Sequence, residues 1–332
     1  MSIDNLIMLI GGDLQNYPSI SGYIQVVFEA KNVRRGDLYF CLDNSQIDLA
    51  LKNGAYVIVY DEPLDISDNE VAWIHVGNVQ KAIHKFFRFY FLSFKITPIL
   101  LDNITLALAD KINIDDQVIV LNATKEQNYA KLWQLRINQI LLSKNATLLH
   151  DLFGEFQTLD SFELISLNII EQTLFQVSFY LEDAFYERVN LPILYQYHLE
   201  ALLGLYIKKN LSFNMMFEKH IEFFYPQFVD KTLHTKEFGK SNRVLIFSPK
   251  LEFFMNSYHY IKQKAKWGKI ISLVPNNTNI KDDGVEYYQN IDNLVQKLKE
   301  TDFDFALIGG VVSKTVIQQL DKQNKLIQNT LF

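Results

Sequence analysis

One stretch, Val26–Pro63, constrains the fold of this chain more than any other: VVFEAKNVRRGDLYFCLDNSQIDLALKNGAYVIVYDEP. Val26–Phe28 and Leu38–Leu42 are apolar runs of strand length, joined through the turn Val33-Arg34-Arg35-Gly36-Asp37. Ile47–Asn53 has the composition of a short helix closed by Gly54, and Ala55–Tyr60 is a β-branched strand. A helix crossing between two strands is the grammar of an α/β domain.

The pattern EAKNVRRGDLYFCL, followed by a helix and KNGAYVIVYDEP, resembles the N-terminal domain of the Mur ligases. Those enzymes add amino acids to a UDP-muramoyl peptide, and this version is most similar to the D-alanyl-D-alanine-adding type. In that family the stretch runs Asp-Ser/Thr-Arg, a Val or Leu two residues on, then Pro-Gly-x-Leu-Phe-x-Ala. Here Glu29-Ala30-Lys31, Val33, Arg35-Gly36, Leu38-Tyr39 and Cys41 occupy those places. The structural positions are kept better than the polar ones. Ala30 replaces a hydroxyl residue, and the loop after Leu42 lacks the family's Gly-His-Asp segment. The family directs this turn to the UDP end of its substrate. The resemblance therefore implies Lys31, Arg34, Arg35 and Gly36 as candidates for weak UDP-sugar binding.

Length and composition bound the rest. A chain of 332 residues exceeds one typical domain, and its 48% apolar content is ample for buried cores. No run approaches 18 uncharged apolar residues, so no membrane span is expected. Asp4 stands where a signal peptide would carry positive charge, and a cytoplasmic location is expected. The single cysteine, Cys41, lies in an apolar strand and reads as a buried, inert thiol. A net charge of −6 gives no electrostatic footprint for nucleic acid. The seven histidines show no metal-ligand spacing, so no metal site is expected. Glycine is scarce, 13 residues, about 4% against an average near 7%. Loops that wrap phosphate use glycine to let backbone N–H groups approach the anion.

In chain order, Leu6–Ile10 reads as a short apolar element, Val71–Val76 as a strand and Asn78–Phe94 as a helix with an apolar stripe. Its cluster Phe86-Phe87-x-Phe89-Tyr90-Phe91 reads first as core and second as a partner-facing patch. Ile99–Leu101 and Val118–Leu121 are predicted strands, with Leu106–Lys111 between them. Tyr129–Leu142 is a predicted amphipathic helix. The turn between them, Asn122-Ala123-Thr124-Lys125-Glu126-Gln127, holds the place of the family's Gly-x-x-Gly-Lys-Thr phosphate loop. Both glycines are absent and Glu126 adds negative charge, leaving Asn122, Thr124 and Lys125 as a relic position. Leu164–Leu167 and Phe175–Phe179 are predicted strands, with helices over His198–Lys209 and Phe213–Phe224 and a linker from Pro226 to Val244. Pro192 remains from a family Leu-Pro-Gly-x-His-Asn segment, with Ile193 and Tyr195 in place of its glycine and histidine.

From Arg243 the pattern alternates strand and helix: Val244–Phe247, Tyr258–Lys266, Ile270–Val274, Ile291–Lys299, Phe305–Ile308 and Lys314–Gln323. This predicts a parallel, Rossmann-like sheet. Residues 248–254 and Gly309-Gly310-Val311 stand at two motif positions of the third Mur domain, of which Glu252 and Gly310 survive. The expected architecture is α/β, Mur-ligase-like and three-domain. Its parts are residues 1–95, a reduced central domain over 96–242 without a phosphate loop, and a Rossmann-like domain over 243–332.

Ligation driven by ATP needs a phosphate cradle, Mg²⁺ ligands and cations for an acyl phosphate. None is found in the family's positions, so no catalytic residue is assigned and no cofactor is expected. Three readings stand. The first is a Mur-like binding or scaffold protein of bacterial peptidoglycan precursor synthesis, with a cell-wall protein as partner. The second is an active but diverged ligase using ATP and Mg²⁺. The third is an unrelated α/β protein. Loss of each motif at its own position, with the architecture kept between, favours the first.

Overall fold

A computed structural model describes residues 1–215 and 220–329. They form two compact units, residues 1–163 with 205–213, and residues 164–204 with the chain from 214 onward.

The first unit opens with α1 (Ile3–Ile10) and β1 (Asp13–Leu14), then β2 (Val26–Val27), β3 (Leu38–Phe40), α2 (Ile47–Lys52), β4 (Val57–Tyr60), β5 (Ala72–His75) and α3 (Val79–Tyr90). Its five-stranded sheet has the order β1-β5-β4-β3-β2, parallel from β5 to β2 with β1 antiparallel at the edge. The turn into β3 depends on two glycines. Gly36 has φ +96° and donates to the Gly54 carbonyl at 3.0 Å. Gly54 has φ +93°, and a Cβ there would lie 2.9 Å from the Arg35 Cα. Both positions require left-handed backbone, and at Gly54 a side chain also has no room.

A second sheet follows: β6 (Thr97–Leu100), α4 (Asn103–Ile112), β7 (Val118–Leu121), α5 (Lys125–Trp133), β8 (Ile140–Ser143), α6 (Ala146–Phe153) and β9 (Gln157–Thr158). Its order is β7-β8-β6-β9, all parallel. The helix expected over Tyr129–Leu142 is instead a helix that stops at Trp133 and a central strand. Asn138 takes φ +65° between them, and the Gln139 side chain accepts from Arg136 N at 2.6 Å. A strand with neighbours on both sides and both faces covered is continuously apolar, and such a run mimics a buried helix.

The two sheets share one apolar core. Asn78 caps α3, accepting from Lys81 N at 2.8 Å, and the helix buries one broad apolar face. Phe87 meets Phe28 at 5.5 Å and Phe86 meets Phe40 at 5.8 Å, toward the first sheet. Tyr90 meets Trp133 at 4.7 Å and Phe91 meets Phe153 at 5.7 Å, toward α5 and α6. The aromatic cluster is therefore mostly core, with Phe89 exposed. Residue 95 falls between the two sheets but not between two cores.

The second unit contains an antiparallel meander of β10 (Asn168–Gln172), β11 (Val177–Leu181) and β12 (Ala184–Val189). No strand covers Leu164–Leu167. The helix α7 (Gln196–Lys208) follows, and its last turn belongs to the first unit. There Tyr206 donates to Asn113 Oδ1 at 3.1 Å, and Ser212 N donates to Asp115 Oδ2 at 2.7 Å. The helix expected over Phe213–Phe224 is not found at either end: Phe213 forms an isolated bridge and Glu222–Phe224 a single 3₁₀ turn. Its residues 216–219 lie outside the described residues.

The last sheet comprises β13 (Tyr225–Val229), β14 (Arg243–Ser248), α8 (Phe254–Lys264), β15 (Ile270–Pro275), β16 (Glu286–Tyr288), α9 (Ile291–Glu300), β17 (Phe305–Gly309) and α10 (Ser313–Asn329). Its order, β13-β14-β17-β15-β16, is parallel except for β13. The segment expected as a linker after Pro226 thus begins with an edge strand, so residue 242 separates neighbours within one sheet. Pro226 pairs with Ile246 there, as proline can on an edge.

Replacing Phe87 by alanine is expected to cost about 3–5 kcal/mol, and urea unfolding followed in both sheets should show one transition. Gly54→Ala is expected to cost about 1–3 kcal/mol from strain at positive φ, read by the same titration. The Asp115 carboxyl is held below the usual range by the N–H groups of Ser212 and Gln117. Its contribution is present above the unfolded pKa near 4 and lost as pH falls, so Asp115→Asn is expected to flatten the stability loss between about pH 5 and 3.

Candidate functional site

The basic turn is organised by Asp37. This carboxylate is buried and accepts from Arg34 N at 2.8 Å and from Gln25 Nε2 at 3.0 Å. Lys31, Arg34 and Arg35 are exposed. Lys31 pairs with Glu29 at 2.7 Å, and Arg35 Nε donates to the Tyr56 hydroxyl at 3.3 Å. Arg34, Arg35 and Gly36 lie at the amino end of β3. Open parallel sheets gather ligands at the opposite, carboxyl end. At that end this sheet presents Asp43, Asp61 and Glu62: Asp61 caps α3 through Val79 N at 2.8 Å, and Glu62 accepts from Asn44 at 3.2 Å. Cys41 leads into this edge, and burial pushes its thiol up to about 11, so it is no nucleophile at neutral pH.

The second sheet supplies three strand–turn–helix junctions, the geometry in which an N-terminal helix dipole and free N–H groups receive phosphate. Asn122-Ala123-Thr124 joins β7 to α5; the expected turn ends there, and Lys125, Glu126 and Gln127 form the first turn of the helix. Thr124 Oγ1 accepts from Gln127 N at 3.4 Å, and Asn128 bonds both the N–H and the carbonyl of Ala123 at 3.2 and 3.0 Å. Lys125 turns away to Gln80 Oε1 at 3.1 Å, and Asn122 reaches Asp110 at 3.5 Å. At the β6–α4 junction, Asp102 accepts from Ile104 N at 2.8 Å, Thr105 N at 3.0 Å and Thr105 Oγ1 at 2.5 Å. At the β8–α6 junction, Asn145 accepts from Leu148 N at 3.0 Å. Each helix start is closed by its own side chain, and at α4 that side chain is a carboxylate where an anion would sit. The backbone N–H groups these side chains occupy are those of Ile104 and Thr105 at α4, Gln127 at α5 and Leu148 at α6.

Sequence reasoning missed one polar cluster. His84 on α3 is buried; its Nδ1 lies 2.8 Å from Asp151 on α6 and its Nε2 lies 3.0 Å from the Tyr129 hydroxyl on α5. Burial, with the charges of Asp151 and Glu126, pushes the Tyr129 hydroxyl above its ordinary range. The array is a polar tie through an apolar core, and a hydroxyl so placed holds its proton at neutral pH. Its partners lie 45 and 67 residues from His84, so no local spacing announces them. Among the described residues, no group of three or more His, Cys, Asp or Glu side chains is arranged to hold a metal ion. No described helix is long and apolar enough to cross a membrane.

No protein-family model and no curated protein matches the chain. Solved structures do. The MurF ligase from Thermotoga maritima in complex with ADP matches at 13% identity and a TM-score of 0.54, covering 90% of this chain and 98% of that one. MurF from Acinetobacter baumannii matches at 9% identity and a TM-score of 0.54, covering 96% and 97%. At such identities the likeness is one of fold, and the chain has a Mur-ligase-like α/β fold.

Asp102→Ala removes the α4 cap and is expected to cost about 0.5–2 kcal/mol in urea unfolding. Tyr129→Phe leaves a nitrogen of His84 without its partner and is expected to cost about 1–3 kcal/mol.

Proposed function

We propose that this chain is a Mur-ligase-like protein of peptidoglycan precursor synthesis that acts by binding and does not carry out ATP-dependent ligation. The observation that carries this reading is the closure of all three strand–turn–helix junctions of the second sheet by Asp102, Thr124 and Asn145. A ligase would leave those N–H groups for phosphate and supply glycine and a lysine beside them. Here Lys125 stands at the family's lysine position and bonds Gln80, and Lys144 in the β8–α6 turn bonds Asn103.

The binding function has two components. The exposed Lys31, Arg34 and Arg35 would attract a diphosphate weakly, each contact worth up to about 1 kcal/mol when solvated. The Lys31–Glu29 pair reduces that attraction. A protein partner from the cell-wall pathway is the stronger component of the proposal. The second reading, a diverged ligase, draws on the ADP held by the Thermotoga maritima structure of similar fold.

Calorimetry with ATP and with ADP, each with and without Mg²⁺, is expected to give no binding heat. Mg²⁺-dependent ATP turnover that disappears in Lys125→Ala would overturn the proposal in favour of the second reading. Titration with a UDP-sugar is expected to move amide resonances weakly, confined to Lys31–Gly36. A flat response removes the UDP-sugar component and leaves the protein partner.

A further inference from the structure

A cleft of about 540 Å³ lies within the second unit, at the amino edge of its last sheet. Val244 and Phe305 stand at the starts of β14 and β17, and Trp267 precedes β15. This is the end opposite the carboxyl edge at which α/β sheets hold ligands. The volume falls in the range of small-molecule sites, roughly 300–1,000 Å³.

The walls are aromatic and fixed. Phe175 meets Phe228 edge-on at 5.8 Å, and the Trp267 indole meets Phe305 edge-on at 5.3 Å. Phe305 is 4% exposed but Trp267 is 76% exposed, so the indole rests on the core and leaves most of its surface open. Gly268 makes that seat possible, since a Cβ there would lie 2.8 Å from the Phe305 ring. The facing wall is the turn between β10 and β11. Thr173 Oγ1 accepts from Phe175 N at 3.2 Å and Gln176 N at 2.9 Å, and the Tyr260 hydroxyl donates to the Leu174 carbonyl at 3.2 Å. The turn is locked internally and pinned to α8, so the cleft is formed before any ligand arrives.

Charge decides what the cleft suits. Among the described residues lining it, Lys264 is the one that carries charge, with Gln172 and Asn242 as the amides. A cation facing an apolar aromatic cleft, with no carboxylate in the lining, favours an anion attached to an apolar body. An exposed indole favours a planar ring over an alkyl chain, because stacking rewards a flat face. We propose that this cleft binds an anionic aromatic small molecule, its ring stacked on Trp267 and its carboxylate or similar group at Lys264. The site shares no residue with those on which the binding function above rests.

The probe is 2-naphthoate, with 2-naphthylmethanol as its neutral counterpart. The chain has three tryptophans, so the indole N–H resonances number three, and Trp267→Phe assigns the one that matters. Saturable movement of the Trp267 resonance by 2-naphthoate is expected, with Trp73 and Trp133 unmoved. Lys264→Ala is expected to weaken 2-naphthoate about three- to fivefold, the scale of an exposed ionic contact, and to leave the alcohol unchanged. Trp267→Ala, at an exposed position, is expected to weaken both about five- to tenfold with an unchanged Tm. Equal affinity for the alcohol and the carboxylate would overturn the anionic assignment. A Trp267 resonance that stays still at millimolar probe would overturn the site.

Discussion

The first unit depends on one broad apolar face of a helix that serves two sheets. α3 packs Phe86 and Phe87 against Phe40 and Phe28 of the first sheet. One turn further along the same face it offers Tyr90 and Phe91 to Trp133 and Phe153 of the second sheet's helices. Large aromatic rings bury much apolar area each, so removing either partner face would expose a large patch to water. The two sheets therefore form a single hydrophobic core. His84 sits inside this packing, and its bonds to Asp151 and Tyr129 give the contact a register that apolar packing alone would specify less sharply.

The same economy of backbone donors runs through the unit. Ser2, Asn78, Asp102, Thr124 and Asn145 each cap a helix with their own side chains. Capping stabilises a short helix, but it also engages the N–H groups that make a helix start attractive to phosphate. In this α/β fold the helix starts of the second sheet thus carry side-chain caps at Asp102, Thr124 and Asn145. Asp102 is the sharpest case, since its carboxylate brings negative charge to the very place an anionic ligand would occupy.

Much of the secondary structure was legible in the sequence, and the reasons are local. α3 announced itself by Asn78 and an apolar stripe, and the Val33–Asp37 turn by its glycine and aspartate. The alternation after Arg243 announced β14, β15, β17 and three helices, but the last helix runs six residues beyond its expected end and β16 was not expected. The failures share a cause. Ile140–Ser143 is a central strand flanked by β7 and β6, and nothing within the segment separates it from a buried helix. Tyr225–Val229 carries a proline that is acceptable only because the strand lies at an edge. The candidate positions Lys31, Arg34, Arg35 and Lys125 were legible as charged turn residues. The engagement of Lys31 by Glu29, Arg35 by Tyr56 and Lys125 by Gln80 was not.

By itself the sequence determined the alternation of strands and helices, the scarcity of glycine where phosphate loops would form, and the resemblance carried by Val26–Pro63. Those follow from backbone preferences and hydrophobic period, which act over a few residues. Only the tertiary structure decided which sheets share a core, what His84 bonds across 45 and 67 residues, and where Trp267 finds its seat on Phe305. Those outcomes rest on contacts between segments far apart in the chain, whose pairing is set by the packing of whole elements and not by any spacing within one of them.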